Sequence, residues 1–263
     1  MIHWLIYIVI VTLGILKVLR ILAICFIRYY LGNNPELLFF SASTVKTCKK
    51  DTDDYSSCLR LAIQESWPTF IEGIPELDMP VLDPFYNGEL DNTYDNGEIQ
   101  GRITGKDVRT YGLTNARFLA VRPHHEDDSF RLEIDVEIPK VLIDGDYKAE
   151  GQLGSFKIGG KGYFNISMED VKSTWDIEGK VVNDRWVIEH FKLLPVVGSM
   201  RVYFSDLFNG NEELNKAAMS FVNEYWPVIY RGMLPYLVEM WDKHLTEFTN
   251  KFFSKVSFAQ VFP

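Results

Sequence analysis

Residues 130–138 read Phe-Arg-Leu-Glu-Ile-Asp-Val-Glu-Ile, a strict alternation of apolar and charged side chains. Successive side chains of a strand point to opposite faces. Phe130, Leu132, Ile134, Val136 and Ile138 therefore share one face, and Arg131, Glu133, Asp135 and Glu137 the other. A helix cannot sort them this way. The segment is a strand with one dry side and one wet side, and the rest of the chain must supply whatever covers the dry side.

The same period recurs at Phe164, Ile166 and Met168, and again at Met200, Val202 and Phe204. Turn dipeptides fall at Asn96-Gly97, Asp144-Gly145, Gly159-Gly160 and Asn183-Asp184. Residues 95–205 read as a meander of about seven or eight antiparallel strands. Trp186 to Leu194 alternates less cleanly, because His190 and Lys192 fall on the same face as Trp186 and Ile188.

Helical spacing flanks this region. Cys58, Leu59, Ala62, Ile63 and Trp67 follow candidate N-caps at Asp53, Asp54, Ser56 and Ser57, and Gly73 with Pro75 ends the element. From Leu214 the apolar positions step by threes and fours through Ala218, Phe221, Val222, Tyr225, Ile229, Met233, Leu237, Met240, Trp241, Phe248 and Phe252. At ~1.5 Å per residue this helix approaches ~55 Å. Pro227 and Pro235 lie inside it and predict bends. Between the first helix and the sheet, Pro75, Pro80 and Pro84 punctuate an apolar stretch and predict an extended ribbon crossing one end of the fold.

These elements define an α+β chain: a highly curved antiparallel sheet wrapped around a long kinked C-terminal helix, with a short N-terminal helix. The inward set is Phe130, Leu132, Ile134, Val136, Phe164, Ile166, Met168, Met200, Val202 and Phe204 from the strands, with Phe221, Tyr225, Ile229 and Met233 from the helix. Such a lining suits a filled core or an apolar tunnel, and sequence does not measure the volume. Tyr225 and Tyr163 are the candidates for a hydrogen bond to a ligand inside a tunnel.

The N-terminus is apolar from Trp4 to Leu16 and again from Ile21 to Ile27, broken by Lys17 and Arg20. Residues 1–43 read as a secretory signal or hydrophobic leader, with an uncleaved anchor as the alternative, and residues 44–263 as one domain. If the leader is removed, no stable membrane insertion is expected. Its loss also removes Cys25 and leaves Cys48 and Cys58, which in an exported chain read as one disulfide. The chain carries a net charge of −9, and its first 43 residues are net positive. The acidic remainder argues against nucleic acid and anionic membrane surfaces as partners.

No catalytic motif stands out: there is no His-Glu-x-x-His, P-loop, nucleophile elbow or dinucleotide turn. A hydrolase lacks a nucleophile with a base at recognisable spacing, and no cofactor or metal is implied. His124-His125-Glu126-Asp127-Asp128 follows Pro123 and reads as a solvated turn. Glu76 and Asp83 read as exposed partners of the ribbon. Asn165-Ile166-Ser167 is a glycosylation sequon whose Asn165 is out of phase with Phe164 and Ile166, so it faces water.

Several segments, taken in order, resemble the insect takeout/juvenile-hormone-binding-protein family. They are Cys48 to Cys58, Gly73-Ile74-Pro75-Glu76-Leu77 through Leu82-Asp83-Pro84, and Tyr111-Gly112-Leu113-Thr114-Asn115. Asp144-Gly145-Asp146-Tyr147 ahead of Gly151, Leu207-Phe208-Asn209-Gly210-Asn211, Asn223-Glu224-Tyr225-Trp226, Pro235 and Phe252-Phe253-Ser254-Lys255-Val256 complete the series. Pro227 and Ser257 depart from the family pattern. The resemblance implies a tube related to lipid-transfer modules. It also implies secretion, links to feeding and daily rhythms, and carriage of a small hydrophobic ligand such as a terpenoid hormone, fatty acid or semiochemical. The rival reading is a filled tube that meets a protein receptor through its acidic outer face, where Glu133 and Asp135 lie.

Overall fold

The computed structural model describes residues 47–95, 99–153 and 156–263. The expected leader and the Asn96-Gly97 turn lie outside them. Helix α1 (Tyr55–Glu72) is followed by strands β1 (Phe85–Asp95), β2 (Ile99–Tyr111), β3 (Arg117–Glu126), β4 (Ser129–Leu153), β5 (Phe156–Val182), β6 (Arg185–Leu193) and β7 (Ser199–Phe204). Helix α2 (Glu212–Phe253) and the short α3 (Phe258–Val261) close the chain. All strands join one antiparallel sheet built on the β4–β5 pair. One half pairs β3-β4-β5-β6, and the other pairs β1-β2-β4-β5-β7.

Strands β4 and β5 run for 25 and 27 residues, far beyond the usual strand of about 5–6. Asp144-Gly145 and Gly159-Gly160, expected to be turns, lie inside them. Gly160 is needed for close approach instead, since a Cβ there would sit 1.9 Å from the Asp206 carbonyl oxygen. Asn183-Asp184 does form the β5–β6 turn, with both residues at positive φ.

The buried phase of the long pair changes once. Residues 130, 132, 134, 136 and 138 are buried, then 141, 145, 147 and 149, while Pro139 and Lys140 are both exposed. On β5 the buried positions switch at the same rung, where Glu169 and Asp170 are both exposed and Asp170 takes φ +52°. The register is unchanged across this slip, from Ile138↔Val171 to Val141↔Met168. The two runs read as facing inward, Phe130–Ile138 and Phe164–Met168, can both do so only because the ladder re-phases between them. A second irregularity explains the untidy β6 pattern. A bulge at Glu189 sets Trp186, Ile188 and Phe191 inward and leaves His190 exposed.

The apolar segment after α1 is less extended than its prolines predict. Pro75–Leu77 forms a 3-10 turn, and Ile74 bridges Met79 in both directions. Proline suits the first position of such a turn, where its missing N–H costs nothing. Ile74, Leu77 and Met79 are buried against Phe70, Phe248, Phe252 and Val256, so the turn ties α1 to the end of α2. Asp83 is not simply an exposed partner. Its carboxylate accepts from the backbone N–H groups of Gly112 and Thr114 and from the Thr114 hydroxyl, while Trp67 Nε1 donates to Leu113 O at 2.8 Å. Gly112 has φ +103°, and a Cβ there would lie 2.1 Å from the Lys140 carbonyl oxygen. Cys48 and Cys58 form the expected disulfide.

Helix α2 spans 42 residues and passes through both prolines. It is fixed to the sheet along the free edge formed by β6 and β7. Asn223 accepts from Val202 N and donates to Val202 O, both at 2.8 Å. Asn250 does the same for Ile188 at 2.9 and 2.8 Å. Asn215 accepts from Leu207 N and donates to Phe204 O, and Asp242 accepts from Phe191 N at 2.7 Å. Each amide supplies the donor and acceptor that a neighbouring strand would supply. Asn250→Ala should leave both backbone groups of Ile188 without their partners and cost about 2 kcal/mol. Urea unfolding checks this, and an unshifted midpoint would contradict the edge-pairing role.

Candidate functional site

The concave side of the sheet divides into two apolar clusters. In the larger one Phe130, Leu132, Ile134 and Val136 are at most 5 % exposed, packed with Leu59, Trp67, Phe118, Ile177 and Trp186. Phe130 is ringed by Trp186 at 4.8 Å, Phe262 at 4.7 Å and Phe258 at 5.1 Å between centroids. His125 lies tilted against the same ring at 4.6 Å and near Tyr55, while Glu126, Asp127 and Asp128 lie exposed at the β3–β4 turn, as expected. Burial, with Lys50 nearby, holds the His125 pKa below its usual value. Helix α3 and the C-terminal residues close this end with aromatic rings.

The second cluster is smaller and looser. Val108, Tyr147, Ala149 and Phe164 are buried, while Leu90, Ile143, Ile166, Phe204 and Leu207 around them are only partly so. Met168 packs against the first cluster, and Met200 and Val202 are half-buried on β7. Helix α2 has no fully buried residue anywhere along its length. Phe221 is 57 % exposed, Tyr225 46 % and Val228 61 %, with Phe221 and Tyr225 in ring contact at 4.9 Å. Met233 is exposed and Ile229 half-buried. Of the residues expected to line a tunnel, Phe164, Ile166 and Phe204 thus meet in the looser half, whereas Phe130, Leu132, Ile134 and Val136 lie in the packed one.

Leu90, Val108, Ile143 and Ala149 do not stand out in the sequence, and Tyr147 does so only within a family-like segment, not as lining. The available signal was the alternation Val141-Ile143-Gly145-Tyr147-Ala149, obscured because Asp144-Gly145 reads as a turn. The Tyr147 hydroxyl is occupied by backbone: it donates to Asp206 O at 2.5 Å and accepts from Asp206 N at 3.3 Å. Tyr163 turns outward, and its hydroxyl donates to Asp144 at 3.2 Å. Asn165 also faces outward, in a groove of about 850 Å³ shared with Arg201, Tyr203 and Ser220.

The outer face of β4 is charged but internally paired. Arg122 grips Asp135 with two bonds of 2.6 and 2.8 Å and reaches Glu133 at 3.0 Å. Arg131 bonds Glu133 and Asp176 at 2.7–2.8 Å, and Thr174 donates to Asp135. The carboxylates available to a basic receptor in the rival reading are therefore already engaged by arginine.

The chain matches the family described as "Haemolymph juvenile hormone binding protein (JHBP)" over residues 22–263. It belongs to that family. Among curated relatives, the "Circadian clock-controlled protein daywake" of Drosophila melanogaster is 23% identical over 230 residues, covering 84% of this chain and 87% of that protein. The protein of the same name from Drosophila yakuba is 21% identical over the same span. The crystal structure of Takeout 1 from Epiphyas postvittana superposes with a TM-score of 0.69 at 22% identity, covering 82% of this chain and 99% of that one. The chain therefore has the Takeout fold: a curled antiparallel sheet, a long C-terminal helix and a short helix.

The arginine pairing has a consequence for acid stability. The Arg122 guanidinium, helped by Thr174 and opposed by partial burial, lowers the Asp135 pKa to about 2. A carboxylate depressed below its unfolded value of about 3.9 contributes stability that is complete above that value and lost as pH falls toward 2. Asp135→Asn should flatten the fall in unfolding midpoint between about pH 5 and pH 2, measured by denaturant titration. An unchanged pH slope would show that Asp135 contributes nothing to it.

Proposed function

We propose that the chain is a secreted carrier of a small hydrophobic molecule, held against the looser half of the concave face. One observation carries this reading: the apolar cluster around Phe164 and Phe204 is incompletely buried while the opposite end is packed with rings. Membership of a family described by hormone binding supports it. Most of the binding energy comes from burial. Covering about ten methylene groups at ~0.8 kcal/mol each supplies ~8 kcal/mol before association costs, the scale of micromolar affinity. The ligand class is a terpenoid, fatty-acid derivative or semiochemical. Secretion removes the leader and exposes the Asn165-Ile166-Ser167 sequon to glycosylation on the outer groove.

Protein purified from culture medium should release apolar small molecules on organic extraction, identified by mass spectrometry, and should take up the fluorescent probe N-phenyl-naphthylamine. Ile166→Asp, placing a charge on the looser wall, should weaken uptake at least about tenfold. Wild-type protein that is folded, empty and unable to take up the probe would refute carriage. Separately, a glycosidase should shift the mobility of secreted wild-type protein and leave Asn165→Gln unshifted. Secreted protein that shows no shift would exclude the glycan.

A further inference from the structure

Between the two apolar clusters the concave wall carries one polar pair. Thr110 pairs with Phe85 on β1 and with Ile143 on β4, and directly opposed residues share a face of the sheet. Phe85 reaches across to Phe248 of α2, with centroids 5.7 Å apart, and Ile143 packs against both clusters. The Thr110 hydroxyl is therefore on the inner face, at the junction of the packed end and the looser half. Asn87 joins it there. A register shift between Tyr86 and Gly88 leaves Asn87 as the extra residue of a bulge, and its Nδ2 donates to Thr110 Oγ1 at 2.9 Å.

The bonding of this pair is incomplete. Asn87 Nδ2 is used by Thr110 and, at 3.4 Å, by Phe85 O. Thr110 accepts in that bond, so its own O–H remains to donate, and Asn87 Oδ1 remains to accept. Neither atom has another partner among the described residues. Tyr147 on the same wall differs, because Asp206 occupies its hydroxyl from both sides. Phe85 and Ile143, which flank Thr110 across the two ladders, and Val108, two residues before it on the same strand, are uncharged.

We infer that Thr110, oriented by Asn87, is the polar anchor of the carrier site and selects a neutral oxygenated ligand. This rests on the carrier reading and narrows it. The hydroxyl donates to a carbonyl, ester or ether oxygen, while the hydrocarbon extends into the looser half. An ionised carboxylate finds no cation among Phe85, Val108 and Ile143 and would be desolvated against them without compensation. A plain hydrocarbon leaves the hydroxyl unpaired. The preferred order is therefore ester above hydrocarbon and ester above fatty-acid anion.

Displacement of N-phenyl-naphthylamine by methyl palmitate, hexadecane and palmitic acid at pH 8 tests this. Wild-type protein should bind methyl palmitate about three- to tenfold more tightly than hexadecane, one hydrogen bond's worth. Thr110→Val, nearly isosteric, should bring that ratio close to one while hexadecane binding is kept, and Thr110→Ser should restore it. A ratio unchanged in Thr110→Val, with probe uptake intact, overturns the anchor and leaves carriage standing. Tighter binding of palmitate than of its methyl ester overturns the preference for a neutral group. Wild-type protein that takes up no probe ends the carrier reading and the anchor with it. Circular dichroism melting of both variants identifies any loss caused by unfolding, and Thr110→Ser then serves as the deciding variant.

Discussion

The architecture depends on how α2 is held. Strands β6 and β7 leave the sheet with an unpaired edge, and such an edge is a liability unless something covers it. In this chain the cover is a helix whose Asn215, Asn223, Asp242 and Asn250 side chains bond the edge backbone directly. The position of α2 is thus set by directional polar bonds at the rim of the sheet and not only by apolar side chains interlocking across its face. A helix seated by packing alone would close onto the sheet until voids vanished, because protein interiors approach crystal density. A helix pinned at the rim can stand off from part of the concave face. In the proposed carrier, room for a ligand follows from the seam.

Packing is unequal along the sheet, and residue size explains why. One half brings together Trp67, Phe118, Trp175, Phe130, Trp186, Phe253 and Phe262, large rings in edge and tilted contacts that fill their volume. The other half faces inward with Gly105, Gly145 and Ala149 among its wall residues and has three mutually contacting rings, Tyr147, Phe164 and Phe204. A closed end and a looser end then come from composition along two continuous strands, without any change of fold.

The parts of this arrangement that can be read from sequence are those governed by local period. The alternation Phe130–Ile138, the threes and fours from Leu214 and the Cys48–Cys58 pair each predict what they form. The parts that cannot be read depend on residues distant in the chain. Asp144-Gly145 has the chemistry of a turn, yet β2 and β5 hold it in the middle of a strand. Asn223 and Asn250 look like ordinary solvated positions on a helix, and their role exists only once Val202 and Ile188 arrive beside them. Asn87 and Thr110 are 23 residues apart and become a pair only through a bulge. Periodicity carries no information about which side chain completes a neighbour's backbone.

The segments that resemble the family fall largely on the frame, although Tyr147 and Leu207 also border the looser wall. Asp83, Gly112 and Thr114 tie the turn after α1 to β2, Gly160 and Tyr147 lock the Asp206 loop, and Asn211 caps α2 by accepting from Leu214 N. All of these act on backbone groups, whose positions are the same whatever side chains surround them. The looser wall is built from Leu90, Ile143, Ile166 and Leu207, whose demands are only apolarity and volume, and many combinations satisfy these. A frame written in backbone hydrogen bonds and a wall written in interchangeable hydrocarbon can diverge independently. This accounts for a shared fold with Takeout 1 at 22% identity. In the proposed carrier it also locates ligand choice in the few wall positions where a polar atom interrupts the hydrocarbon.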